Sequence, residues 1–281
     1  MMPYLFETRL FGWEVALPTY GSILALSFLL ALWVALRQAR RVGVESGIVT
    51  DLWILSLISG VLGAKITLYL IDLDYYLANP GAIFRTLLSA GVFYGGLLAA
   101  IGVCLIFVRR RGLSTWLVGD ILAPAIILGQ AAGRWGCFAA GCCYGAPASV
   151  PWAVTFTNPK AHDLTGVPLG APLHPSQVYL SLADLVLFGI LLIVASRKKF
   201  QGQVFLLYLI LYAVLRGTLE MFRGDDRGSI AGLSTSQAIS IVVGLTAIVL
   251  YVWRARSASR SEIEAERGRA GRPRRKEAPA R

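Results

Sequence analysis

Tyr212, Arg216, Glu220 and Arg223 fall at i, i+4, i+8 and i+11 within one apolar stretch. That spacing sets all four on a single helix face. A cation inside an apolar span costs about 2.5–3.5 kcal/mol on insertion scales. Arg216 therefore reads as a functional group turned into a helix bundle, in preference to a side chain snorkelling to the interface. Glu220 can neutralise its two arginine neighbours, but the ladder keeps a net positive stripe that suits an anion. Arg134 is a second such cation, and Gly133 and Gly136 on either side of it let backbone approach a ligand closely. Lys65 is a third. A guanidinium grips phosphate oxygens through two parallel N–H bonds, which an ammonium cannot do. The chemistry these residues offer is recognition of a phosphate, and stabilisation of charge that builds on it.

The elements that must carry them are membrane helices. The 281-residue chain is 56% hydrophobic and 15% charged, against about 25% charged in soluble domains. Its apolar residues gather in runs of roughly 20, the length that crosses about 30 Å of hydrocarbon. Seven spans are expected, near 20–36, 50–72, 86–108, 116–135, 177–196, 203–222 and 234–253. Each must be helical, because lipid offers no partner to a free N–H or C=O. The short alternating strands of a membrane barrel are missing from the pattern. The expected fold is an all-α integral membrane bundle over 1–253, with an external loop region at 138–176.

The net charge of +11 is placed for topology, not for nucleic acid. Arg37, Arg40 and Arg41, then Arg109 to Arg111, then Arg197 to Lys199, then the basic residues from Arg254 onward alternate with connections holding only Arg9, Arg85, Lys160, Arg223 and Arg227. This positive-inside pattern puts the N-terminus outside and the C-terminus in the cytoplasm. Met1 to Pro18 lack the basic and apolar regions of a cleavable signal peptide. Residues 254–281 have no apolar face and read as a disordered, basic cytoplasmic tail. With that orientation Tyr20, Lys65, Tyr94, Arg134, His174, Gln177 and Arg216 all lie toward the outer leaflet. A cytoplasmic nucleotide-using enzyme would show the reverse, and an ion channel would spread polar groups through the full depth. In the outer leaflet the abundant phosphate carrier is a phospholipid head group.

Cys104 reads as a small core residue. Cys137, Cys142 and Cys143 form a C-x4-C-C cluster with no His-rich partner and no second C-x-x-C, so tight packing or a local disulfide is favoured over zinc. His162 reads as a solvated loop residue, and His174 as an orienting group at a helix entrance.

The run Gly133-Arg134-Trp135-Gly136-Cys137-Phe138-Ala139-Ala140-Gly141, followed by Gly145, resembles the signature G-R-x-G-N-F-x-N-G-E-x-x-G of the bacterial prolipoprotein diacylglyceryl transferases. Other segments are similar in the same order: Tyr20-Gly21, Gly63-Ala64-Lys65, Tyr94-Gly95-Gly96-Leu97 against His-Gly-Gly-Leu, Asp120 and Pro124, His174-Pro175-Ser176-Gln177-Val178-Tyr179, the Tyr212 to Arg223 ladder, and Gln237 with Ser240. The resemblance covers about 18–253. It implies seven helices in the orientation just derived, in a bacterial inner membrane. It implies transfer of the diacylglyceryl group of phosphatidylglycerol to the lipobox cysteine thiol of a secreted prelipoprotein, with glycerol 1-phosphate leaving and no metal or cofactor. Arg134, Arg216 and Tyr94 become the expected catalytic groups. Tyr20, Lys65, Gly95, Gly133, His174, Gln177, Tyr212, Glu220 and Arg223 join the two arginines as expected lipid-binding residues. Three positions depart from the pattern: Tyr94 stands for its His, Cys137 for an Asn and Cys142 for a Glu. The alternatives are a lipid transporter, for which no internal repeat speaks, and a non-catalytic lipid-binding protein on the same fold, for which the Tyr94 substitution speaks.

Overall fold

The computed structural model describes residues 4–10, 13–86, 91–225, 228–230, 232–258, 262–264 and 266. A hairpin of β1 (Tyr4–Leu10) and β2 (Trp13–Pro18) leads into α1 (Thr19–Val42) and α2 (Ser46–Ile71). Two short helices follow, α3 (Leu73–Ala78) and α4 (Gly81–Thr86), and then α5 (Phe93–Arg110) and α6 (Thr115–Ala140). The loop region holds β3 (Val154–Thr155), α7 (Pro159–Thr165) and β4 (Pro172–Leu173). The chain ends on α8 (Ser176–Arg197), α9 (Gln203–Leu219) with a 3-10 turn at Glu220–Phe222, a hairpin of β5 (Ser229–Ile230) and β6 (Leu233–Ser234), and α10 (Thr235–Ser257). Seven of these helices are long and apolar enough to cross a membrane, as expected, and the protein is an all-α, multi-pass membrane protein.

The third span starts later than its hydropathy suggests. Expected from residue 86, it begins as α5 at Phe93. Val92 donates its N–H to Ala64 O at 3.0 Å, and a Cβ on Gly91 would lie 2.8 Å from the Ala64 backbone. The chain is thus pressed against α2 before it turns into the helix. Hydropathy registers only that these residues are apolar.

The chain divides into two compact units, Met1–Ala35 with Gly119–Arg281, and Leu36–Val118. In the second, α2 and α5 pair through small residues. A Cβ on Gly96 would sit 2.6 Å from Gly60 O, and one on Gly63 would sit 2.8 Å from Gly95 O. Close backbone approach of this kind replaces the hydrophobic drive that lipid removes. The outer faces of α2 remain apolar and exposed at Ile58, Val61, Leu62 and Ile66, as contact with lipid tails requires.

In the first unit, Ala123, Ile127, Leu187, Leu191, Val204 and Tyr208 make a buried core between α6, α8 and α9. Asp120 anchors one end of it: its carboxylate accepts from Gly202 N at 2.9 Å, Phe205 N at 3.0 Å and Lys198 Nζ at 3.0 Å. That caps the otherwise unpaired first turn of α9. Of residues 254–281, expected as a disordered tail, α10 takes the first through Ser257. Glu262 pairs with Arg254 at 2.7 Å, and Glu266 with Lys198 at 3.4 Å. The remainder of that segment lies outside the described residues.

Candidate active site

The first unit assembles a site from three separate stretches. The last turns of α6 carry Gly133, Arg134 and Cys137, and the chain then reverses at Gly141, whose φ is +83°. The returning segment, Tyr144 to Ala148, is clamped on both sides through isolated bridges at Gly145 and Pro147. Ala146 N donates to Phe222 O at 2.9 Å, and His174 N donates to Ala146 O at 2.9 Å. Gly145 fits between them only because it lacks a Cβ, which would meet Phe222 O at 2.8 Å and the His174 backbone closer still. Its φ is ordinary, so close approach alone accounts for this glycine. One clamp therefore joins the signature run, the His174-Pro175-Ser176-Gln177 segment and the end of the Tyr212 to Arg223 ladder. Beneath it Phe156, Ala161, Val167 and Leu173 form a small buried core.

His174 and Gln177 serve this clamp. The His174 ring meets Tyr179 Oη at 3.2 Å and lies 5.3 Å from the Phe222 ring. Buried Gln177 donates to Cys142 O at 2.8 Å, and Ser176 donates to Cys143 O at 2.7 Å. His162 is exposed, with one ring nitrogen 2.8 Å from Val167 O.

The ladder folds as its spacing requires, but its charge is not the surplus expected. Arg216 is buried, ion-paired to Glu220, and donates to Ser236 Oγ at 2.9 Å. Arg223 takes Asp225 in a two-point grip, at 2.8 Å and 2.7 Å, with Glu220 at 3.8 Å. Two guanidiniums thus face two carboxylates, and the stripe is nearly neutral. Asp225, two residues beyond Arg223, is what the helical spacing left out. Burial works against the Arg223 charge, yet its bonds to Asp225 and to Cys143 hold its pKa above the ordinary value. Tyr212 accepts from Gln130 Nε2 at 3.0 Å and stacks on Tyr208 with ring centres 5.6 Å apart.

Arg134 is different. It is half-buried, and among the described residues its guanidinium has no hydrogen-bond or ion-pair partner. Tyr20, Tyr212 and Asp184 lie within its electrostatic reach. Tyr20 packs directly on the same helix, since a Cβ on Gly136 would come 3.3 Å from its ring. Asp184 on α8 was not singled out by the sequence reading. It is fully buried, neither carboxylate oxygen has a partner among the described residues, and Arg134 and Arg216 are the cations that act on it. An acid in the middle of an apolar 20-mer was the signal available.

Cys137, Cys142 and Cys143 converge, with their sulfurs all within 4.8 Å of one another. None of the three is in a disulfide, so neither expected local pairing is present. Bonds from the Cys137 and Cys142 thiols, and then the Arg223 charge, push the Cys143 thiol below its usual range. Cys142 is pushed up, first by its sulfur neighbours and then by burial.

Lys65, Tyr94 and Gly95 belong to the second unit. Lys65 donates its ammonium to Thr86 O. Gly95 faces Thr67 and Gly63 of α2 and leaves no room for a side chain. Tyr94 is 51% exposed and stacks edge-on to Phe93 with ring centres 5.6 Å apart.

Residues 8–253 match the model of the prolipoprotein diacylglyceryl transferase family. The chain is 34% identical over 251 residues to a phosphatidylglycerol--prolipoprotein diacylglyceryl transferase of Clostridium tetani, covering 89% of this chain and 97% of that protein. A relative of the same name from Bordetella parapertussis is 37% identical over 254 residues, covering 88% and 94%. A second such transferase of Clostridium perfringens is 33% identical over 247 residues, covering 86% and 92%. With the signature run, the clamp and the arginine ladder in place, the chain belongs to the prolipoprotein diacylglyceryl transferase family.

Proposed function

We propose that this protein transfers the diacylglyceryl group of phosphatidylglycerol to the lipobox cysteine thiol of secreted prelipoproteins, forming a thioether and releasing glycerol 1-phosphate. The membrane domain spans 1–253. The active site faces the outer leaflet of a bacterial inner membrane, with the N-terminus outside and the C-terminus in the cytoplasm.

One observation carries the reading. Arg134 is a half-buried guanidinium that no described residue satisfies, in a chain whose relatives carry the name of a phosphatidylglycerol-using transferase. As the glycerol C–O bond breaks, negative charge gathers on the departing phosphate. A fixed cation in a poorly hydrated site stabilises that charge strongly. Arg134 holds the phosphate and takes the charge that develops. Arg216, paired with Glu220 and bonded to Ser236, is the second catalytic arginine in this reading and contributes N–H donors rather than net charge. Tyr20 and Tyr212 offer phenols beside Arg134. Tyr94, in the place of the family's histidine, offers its phenol as a hydrogen-bond donor to the lipid substrate.

The test is incubation of the purified protein with labelled phosphatidylglycerol and a lipobox peptide. The expected product is a diacylglyceryl thioether on the peptide cysteine, with glycerol phosphate in equal amount. Lipid binding without thioether would instead establish the non-catalytic lipid-binding alternative.

A further inference from the structure

We propose that Cys137, Cys142 and Cys143 form a three-thiolate site for a zinc-class cation, whose open fourth position takes the acceptor thiol of the substrate. The inference rests on the transferase reading above and adds how the thiol is activated.

The geometry comes first. Zinc binds thiolates at about 2.3 Å in a tetrahedron, which separates the sulfurs by roughly 3.8 Å. Three sulfurs outside any disulfide and already within 4.8 Å of one another need only small side-chain rotations to close on an ion. The backbone that carries them is held from outside. Ser176 and Gln177 bind the carbonyls of Cys143 and Cys142 at 2.7 Å and 2.8 Å. Cys143 sits at φ +58°, the one described residue besides glycines in the left-handed region. Such a conformation is strained and persists only where surrounding contacts impose it. Arg223 hydrogen-bonds Cys143, and Arg134 lies within electrostatic reach of Cys137 and Cys143. Three thiolates and a divalent ion leave one negative charge, and the guanidiniums offset it. Three protein ligands with one open position are the pattern of catalytic rather than structural zinc.

The chemistry gives the site a use. Thiolate, not thiol, is the nucleophile, and Tyr94 offers no imidazole to remove the proton. A zinc ion deprotonates a coordinated thiol outright. Arg134 and Cys137 stand at i and i+3 on α6, on one face and one turn apart. The metal-held thiolate and the phosphate-holding guanidinium are thereby neighbours. In the step proposed, the acceptor thiol displaces a bound hydroxide, and its proton leaves as part of the water formed. The sulfur attacks the glycerol carbon next to the phosphate. The C–O bond breaks, its electron pair passes to the phosphate oxygen, and glycerol phosphate departs. The neutral thioether then leaves the metal. No oxidant or reductant is consumed.

The experiment uses the full chain, reduced, in detergent. Titration with Co2+ is expected to give a sulfur-to-metal charge-transfer band saturating at one ion per chain, displaced by Zn2+. The wild-type titration needs no variant to fold. Cys137→Ser, Cys142→Ser and Cys143→Ser should each weaken binding by more than the ~10–100-fold typical of losing a residue that merely orients a ligand, and Cys104→Ser should not. A lipobox peptide should shift the Co2+ spectrum, and its cysteine-to-serine analogue should not. Thioether formation should fall at least tenfold when a chelator strips the ion, and return with Zn2+. No stoichiometric band, a band retained in all three variants, or isolation of the cluster as a disulfide would overturn the site. Full transfer by metal-free protein would overturn it while leaving the transferase reading intact. A peptide-sensitive metal site with no thioether from phosphatidylglycerol would uphold the site and overturn the transferase reading instead.

Discussion

Removing Arg134 should separate catalysis from folding cleanly, for a reason visible in its surroundings. No described residue hydrogen-bonds or ion-pairs with its guanidinium, so Arg134→Ala breaks no hydrogen bond or ion pair, and buried Asp184, within its electrostatic reach, keeps Arg216 as the other cation acting on it. The two-point grip on phosphate that Arg134 would make consists of two hydrogen bonds to a charged group, worth about 1.5–3 kcal/mol each. Their loss amounts to about 3–6 kcal/mol. At about 1.4 kcal/mol per tenfold, kcat/KM for phosphatidylglycerol should fall by ~10²–10⁴. Arg134→Lys restores the charge but only one directed bond, so about half of that loss should remain. Thermal unfolding in detergent should move little in either variant. The assay is thioether formation on a lipobox peptide, paired with the melting curve of each variant. Undiminished turnover in the alanine variant would remove Arg134 from the site. A large drop in melting temperature beside the lost activity would refute the claim that nothing in the protein depends on it.

Glu220→Ala should behave in the opposite way. It leaves buried Arg216 without its carboxylate, and the loss of about 3–5 kcal/mol for a broken buried pair should appear in the melting curve before any kinetic effect is considered. Tyr94→Phe should cost about 1.5–3 kcal/mol in transfer, the scale of one hydrogen bond to a charged group. Complete loss with lipid binding intact would instead make the phenol essential to the chemistry. Gly95→Leu should disrupt the pairing of α2 with α5, because Thr67 and Gly63 leave no space for a side chain; normal helix content and an unchanged melting temperature would contradict that. A cytoplasmic reporter fused after Arg281 should be active and a periplasmic one silent, and the reverse result would invert the topology.

The seven spans were legible because hydrocarbon thickness fixes helix length, and because lipid forces every backbone group into the helix. The common face of Tyr212, Arg216, Glu220 and Arg223 was legible because the helical period is local. The Gly133 to Gly145 run was legible as a resemblance. Partners across long separations were not. Even a near partner escapes the helical period where the helix ends: Glu220 falls between two arginines by spacing, but Asp225, two residues past Arg223, grips it from the turn beyond the helix. That moves the unsatisfied charge from the ladder to Arg134. Asp120 and Arg134 share one helix and one resemblance, yet they stand about 21 Å apart along its axis, and Asp120 caps α9. The C-x4-C-C spacing by itself spoke for packing or a disulfide. The sulfurs converge because Ser176 and Gln177, over thirty residues away, hold the Cys142 and Cys143 carbonyls. Periodicity records which face a side chain takes. What waits on that face is set by packing between helices, and no local pattern encodes it.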